Sequence, residues 1–164
     1  MQDLKENKNK CVNIVWYICT FLRQRDDVVK KTPEQISRNM RKIKNKDSDI
    51  EIILRKELWS RGLHYRKNVK SVFGTPDIAF IGKKIAIFCD SEFWHGYAWE
   101  ISKDDFKSRR EFWIPKIEKN IQRDQEVNEK LRTEGWAVFR FWGREIKKDA
   151  SGCADIIQRE WEKR

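Results

Sequence analysis

The chain has 164 residues, a formal net charge of +10, a sequence pI near 9.5 and 38% charged residues. That length suits one domain with a core of its own, and the cationic excess favours a polyanionic partner, either nucleic acid or an anionic membrane surface. The four cysteines (Cys11, Cys19, Cys89, Cys153) are dispersed, with no CxxC pair and no histidine at ligand spacing, so neither a disulfide framework nor a zinc knuckle is indicated. Reduced thiols in a cytosolic protein are the default, and only Cys11 and Cys19 could pair in an oxidising compartment.

Residues 1–31 open Lys-rich and carry an apolar run at 11–22. The run is too short for a membrane-spanning helix, and Arg23 to Asp27 follow it where a signal peptide would have a cleavage site. It reads as an appended segment docking on the domain, or an upstream extension. From Thr32 the signals sharpen. Thr32, Pro33 and Gln35 form an N-cap, a first-turn proline and a capping box, predicting a helix to about residue 44. Its Arg38 and Arg41 either line a DNA groove or form a solvated cationic face. Ser48 and Glu51 form a second capping box, followed by Ile50, Ile53, Leu54 and Leu58 at helical spacing, with Gly62 as the stop. Glu51 is then a cap residue or an acidic group beside a site, and the sequence favours the cap.

Residues 63–66 predict a strand that includes His64, followed by a basic loop. Two apolar runs, 78–80 and 85–89, flank a Gly82-Lys83-Lys84 turn and predict an antiparallel pair. Asp77 opens the first strand and Asp90 closes the second, so both carboxylates sit at strand ends where they can share a divalent cation for phosphodiester hydrolysis. From spacing alone the plainer reading, an aspartate beside a hairpin turn, prevails. Residues 96–110 read as a loop or short helix. A long helix is expected from near Glu111 with Pro115 in its first turn, buried through Ile117, Ile121, Val127 and Leu131 and stopped by Gly135. Residues 136–142 predict a third strand, paired in parallel after the helical crossover, and 153–163 a closing amphipathic helix.

In that order and at compatible spacing, Thr32-Pro33-Glu34-Gln35, Ser37 to Arg41, Gly74-Thr75-Pro76-Asp77, Phe93-Trp94-His95, Arg110 to Trp113, Lys116-Ile117, Asn120, Arg123-Asp124, Gly135-Trp136 and Phe141-Trp142 resemble the very-short-patch-repair (Vsr) endonucleases over about residues 32–146. The resemblance implies a restriction-endonuclease-like α/β core with a mixed central sheet flanked by helices. It also implies Mg²⁺-dependent nicking of one strand beside a T·G mismatch. It places the metal-binding carboxylate at Asp77, a backbone-carbonyl metal contact at Cys89, the catalytic histidine at His95 and supporting acids at Glu51 and Asp124. Phe93, Trp94 and Trp113 fall where the family's aromatics wedge between base pairs; by residue type alone they are core. Arg38 and Arg41 are the candidate DNA contacts beside them.

The chain departs from the family at Asp90, where the best-known members have a histidine, so Asp90 is a candidate further metal ligand. Glu92 stands where the wider nuclease superfamily has a lysine. Glu92, Tyr97, Trp99 and Arg144 occupy the positions that hold a structural zinc in the family, so no zinc is expected, with a Glu92–Arg144 ion pair and packing by Tyr97 and Trp99 in its place. The expected partners are double-stranded DNA carrying a mismatch and, as candidates, repair proteins. No membrane is expected, and the protein is expected to be a monomer at the cytoplasmic nucleoid. The alternatives are a nuclease of this fold acting on another DNA structure or site, a non-catalytic DNA-binding module, and an interfacial membrane protein resting on residues 11–22 and the charge. Asp77 and His95 argue against the non-catalytic module.

Overall fold

A computed structural model describes residues 32, 34, 35, 38, 47–106 and 109–164. The chain divides into two units, Met1–Ile43 and Lys44–Arg164. In the first, Gln35 N–H donates to Thr32 Oγ1 at 3.3 Å and Thr32 N–H donates to Gln35 Oε1 at 2.9 Å, which is the expected capping box. Arg38 is helical and exposed, whereas Arg41 and the run at 11–22 lie outside the described residues.

The second unit begins with helix α1 (Asp49–Ser60). Ser48 anchors its start, donating its N–H and hydroxyl to Glu51 Oε1 at 3.2 and 2.7 Å. At its other end Gly62 takes the left-handed conformation (φ 73) and Leu63 N–H returns to the Leu58 carbonyl at 3.0 Å. Ile50, Leu54 and Leu58 are buried, while Ile53 turns outward at 37% exposure. Because Leu63 is still bonded to the helix end, the next strand starts later than its sequence suggests. Strand β1 is only Arg66–Lys67, and His64 lies outside it, packed edge-on against Trp59 at 4.6 Å.

Strands β2 (Ile78–Phe80) and β3 (Ile85–Asp90) form the expected antiparallel pair, with Ala79 opposite Ala86. A 3₁₀ turn (Ile81–Lys83) and a left-handed Lys84 join them. Strand β4 (Ala137–Trp142) runs parallel to β3, with Phe88 opposite Arg140, and the sheet order is β1-β2-β3-β4. The crossover between β3 and β4 contains a short helix α2 (Trp99–Ser102) and the long α3 (Arg110–Thr133). Pro115 sits in the second turn of α3 rather than the first, because the helix starts at Arg110. After β4, Glu145 Oε2 accepts the Trp142 N–H at 2.9 Å and starts α4 (Gly143–Lys148), a helix the sequence did not suggest. Asp149 then caps α5 (Ala150–Lys163) by accepting from Gly152 N–H at 2.8 Å, so this helix begins three residues before its expected start.

Strand alternation gives the sheet two cores. Ile85, Ile87 and, at its margin, Cys89 pack with Leu54, Leu58, Ile146 and Ile157 of α1, α4 and α5. Ala86 and Phe88, with Ala79 and Val138, pack against Val127 and Leu131 of α3. A strand covered on both faces is apolar almost throughout, which accounts for Ile-Ala-Ile-Phe at 85–88. The same alternation carries Asp90 and Arg140 to the α3 side of the sheet, and the site is built there.

Candidate active site

Asp77 immediately precedes β2, and its Oδ2 accepts the Cys89 N–H from the neighbouring strand at 2.8 Å. Among the described residues no Lys or Arg pairs with this carboxylate. Burial, together with the charges of Glu51 and Asp90, raises its pKa to about 6 despite the hydrogen bond from Cys89. The neighbouring acids differ in having cations of their own. Glu51, 6% exposed, caps α1 and also receives Arg55 Nη2 at 2.9 Å on Oε2, so it fills the cap reading while its charge still reaches Asp77. Asp90 receives Arg140 Nη1 on both oxygens, at 2.9 and 2.8 Å. Asp77 is therefore the one of the three with hard oxygen donors and no cation partner among the described residues, which fits an ion such as Mg²⁺. Asp90 fits an ion poorly, since a guanidinium already holds both its oxygens. The Cys89 thiol, pushed well up by burial and the surrounding carboxylates, stays protonated and suits no hard cation.

An ion at Asp77 would require the carboxylate to be deprotonated, which would make its affinity pH-dependent. With its pKa near 6, Mg²⁺ affinity measured by titration calorimetry is expected to be about tenfold weaker at pH 5 than at pH 7.5. A pH-independent affinity over that range would place the ion elsewhere.

His95 lies in the segment after β3. Its Nδ1 faces Asp124 Oδ2 on α3 at 2.6 Å and Asp90 Oδ1 at 3.6 Å, so the Nδ1–H is the donor to Asp124 and Nε2 is left unengaged by that pair. Burial alone would lower the His95 pKa, but the Asp124 hydrogen bond and the Asp90 and Asp124 charges outweigh it and hold it above the usual histidine value. Asp124 in turn stays below the ordinary carboxylate range: burial opposes this, and the His95 hydrogen bond and the Arg140 charge prevail. Gly96 next to His95 has φ 66, and a Cβ there would come within 2.6 Å of Ile121 Cδ1. The left-handed backbone favours glycine there, and any larger residue would have to push the Ile121 side chain of α3 aside.

One face of α3 serves the His95 half of the site through positions four apart, which stack on a helix. Asn120 Nδ2 donates to the Trp94 carbonyl at 3.0 Å, Asp124 holds His95, and Asn128 Oδ1 accepts Arg140 Nε at 2.9 Å. The rings of Phe93, Trp94 and Trp113 touch one another, with centroids 5.0 to 5.8 Å apart, and each is half-buried. Phe112, 56% exposed, extends the cluster edge-on to Trp113 at 4.9 Å, and Lys116 Nζ lies 5.2 Å from the Trp94 ring. The sequence named Asp77, His95, Asp90 and Asp124 but missed Arg140 and Asn128. The available signal for Arg140 was a charge at an inward position of an apolar strand, which requires buried partners.

The four positions at the family's zinc site make other contacts. Glu92 Oε1 accepts the Arg144 backbone N–H, and the Arg144 guanidinium lies over the Tyr97 ring at 5.2 Å. The expected side-chain ion pair is thus replaced by a carboxylate at the first turn of α4 and a cation–π contact. Tyr97 meets Trp142 edge-on at 5.0 Å, and Trp99 meets Phe106 at 5.9 Å.

The profile of the family described as DNA mismatch endonuclease Vsr matches residues 27–101. The chain is 53% identical over 131 residues to the Type II nicking enzyme V.HpaIIP of Haemophilus parainfluenzae, covering 79% of this chain and 93% of that one. This chain belongs to the Vsr endonuclease family. It is likewise 49% identical over 127 residues to the Type II nicking enzyme V.NmeDIP of Neisseria meningitidis serogroup C, covering 77% and 86% of the two chains. To the DNA mismatch endonuclease Vsr of Escherichia coli (strain K12) it is 36% identical over 106 residues, covering 65% and 67%. As a member of the Vsr family the chain is an endodeoxyribonuclease with a restriction-endonuclease-like fold, acting on DNA. No described helix of this Vsr-family chain is long and apolar enough to cross a membrane.

Proposed function

We propose that this enzyme nicks one strand of duplex DNA beside a T·G mismatch in a Mg²⁺-dependent reaction, working as a monomer in the cytoplasm. The observation that carries the reading is the conjunction of Asp77, a carboxylate with no cation partner among the described residues, with His95, an imidazole held through Nδ1 by Asp124. Asp77 and the Cys89 backbone carbonyl would hold a Mg²⁺ ion, which would supply charge stabilisation at the phosphate and water activation. With Nδ1 occupied by Asp124, His95 Nε2 is the nitrogen that would take a proton from an attacking water. Glu51 and Asp90, each paired with an arginine, act on Asp77 through their charges and are not assigned as ion ligands.

Half-burial of Phe93, Trp94 and Trp113 in one cluster supports a wedge that enters the base stack at the mismatch, as apolar side chains do in proteins that kink DNA. Arg38 and Arg41 supply phosphate contacts that position the duplex without reading its sequence. The test is strand mapping on end-labelled duplexes that carry T·G, each other mismatch, or none. A single cut in one strand of the T·G duplex alone is the expected result. Equal cutting of the paired duplex points to the alternative, a nuclease of this fold acting on another DNA structure or site.

The enzyme is further expected to hold no structural zinc, because Glu92, Tyr97, Trp99 and Arg144 offer neither thiolate nor imidazole. Elemental analysis of the purified protein checks this, and stoichiometric zinc would refute it.

A further inference from the structure

Asp90, His95 and Asp124 bring their ligand atoms within 4.8 Å of one another, a spacing that could hold a cation. Arg140 supplies that cation from within the chain. Every nitrogen of its guanidinium is fixed: Nε donates to Asn128 Oδ1 at 2.9 Å, Nη1 to both Asp90 oxygens at 2.9 and 2.8 Å, and Nη2 to Asp124 Oδ1 at 3.1 Å. Its Cζ lies 4.3 Å from the Phe88 ring centroid, so the planar group is also supported from one side. These partners come from β3 and α3, and Arg140 from β4. One side chain therefore ties together the three elements that place His95. Asp124 is shared, giving Oδ1 to Arg140 and Oδ2 to His95.

We propose that Arg140 is a positioning residue whose guanidinium occupies the cation position of the Asp90–His95–Asp124 cluster and orients Asp124 to hold His95. It acts through Asp124 and touches neither DNA nor the reacting atoms. A lysine cannot replace it, because one ammonium does not reach Asn128, Asp90 and Asp124 together in the plane the guanidinium spans. Asp90 follows from the same arrangement: its carboxylate anchors the arginine and does not serve as a second metal ligand. The role rests on His95 acting in the proposed nicking reaction.

The experiment is single-turnover nicking of a T·G duplex, with duplex affinity measured separately. The wild type is compared with Arg140→Ala, Arg140→Lys, Asn128→Ala and His95→Ala. Arg140→Ala should lose rate on the order of 10²-fold, the effect of a misplaced catalytic group, and Arg140→Lys should recover little of it. Duplex affinity should stay within about threefold, since phosphate contacts set it. Guanidinium ion added to the buffer should restore part of the Arg140→Ala rate and none of the His95→Ala rate. Asn128→Ala, which removes one acceptor and leaves the buried charges paired, should lose several-fold in rate, and this carries the test if Arg140→Ala does not fold. A wild-type rate in Arg140→Ala or Asn128→Ala, or a loss confined to affinity, overturns the role. Failure of the wild type itself to nick overturns instead the activity on which the role rests.

Discussion

Asp77→Asn is expected to abolish nicking, by on the order of 10³-fold or more, while duplex affinity changes no more than several-fold. The amide keeps the shape and can still accept the Cys89 N–H, but it lacks the charge proposed to hold Mg²⁺. Charge stabilisation by a bound metal contributes several kcal/mol to such reactions, and each 1.36 kcal/mol or so is a factor of ten in rate. The same substitution should stabilise the metal-free protein at neutral pH. A carboxyl whose folded pKa is raised from 3.8 to about 6 favours the folded state only when protonated. Its ionisation therefore costs stability progressively as pH rises from near 4 to above 6, by about 1–3 kcal/mol once residual solvation is allowed for. Thermal melts in chelator should show Asp77→Asn more stable than wild type at pH 7.5, with the gap closing towards pH 4. Retained Mg²⁺-dependent nicking, or a lower melting temperature at pH 7.5, would contradict this account of Asp77.

His95→Ala should lose about 10²- to 10⁴-fold in the nicking rate, the usual contribution of a positioned general base. The pH profile carries more information. A base works only when neutral, so the wild-type rate should fall as pH drops through the His95 pKa. Burial lowers that pKa, but the Asp124 hydrogen bond and the nearby acidic charges raise it further, so the acid limb lies at higher pH than for a free histidine. Saturating Mg²⁺ keeps Asp77 ionised and leaves His95 as the group seen. Asp124→Asn replaces a charged acceptor, which favours imidazolium, by a neutral one, so its acid limb should move to lower pH. An acid limb that stays in place in both variants would show that another group titrates.

The sequence conveyed most of the fold because its signals were local. Capping pairs at Thr32/Gln35 and Ser48/Glu51, the β2–β3 hairpin and the apolar stripe from Ile117 to Leu131 each follow from short-range periodicity or hydrogen bonding. What it concealed depends on where chain segments meet. Strand β1 is short because Leu63 remains tied to the end of α1, and α4 arises from Glu145 folding back on the Trp142 N–H. The site divides in the same way. The roles of Asp77 and His95 were suggested by motifs, whereas Arg140 lies far along the chain from Asp90 and is matched to it only by the parallel register of β3 with β4. The sequence therefore offers Asp90 as a candidate metal ligand and gives no sign of the arginine that meets it. Glu92 and Arg144 do meet, but through a backbone amide that side-chain charges do not foretell.

The most direct test of the central claim follows one labelled T·G duplex and its matched T·A counterpart side by side, with Mg²⁺ and with a chelator. A site built on Asp77 and His95 predicts one nick, in one strand, in the T·G duplex with Mg²⁺ alone. Cutting that persists in the chelator, or that proceeds equally in the matched duplex, would contradict it.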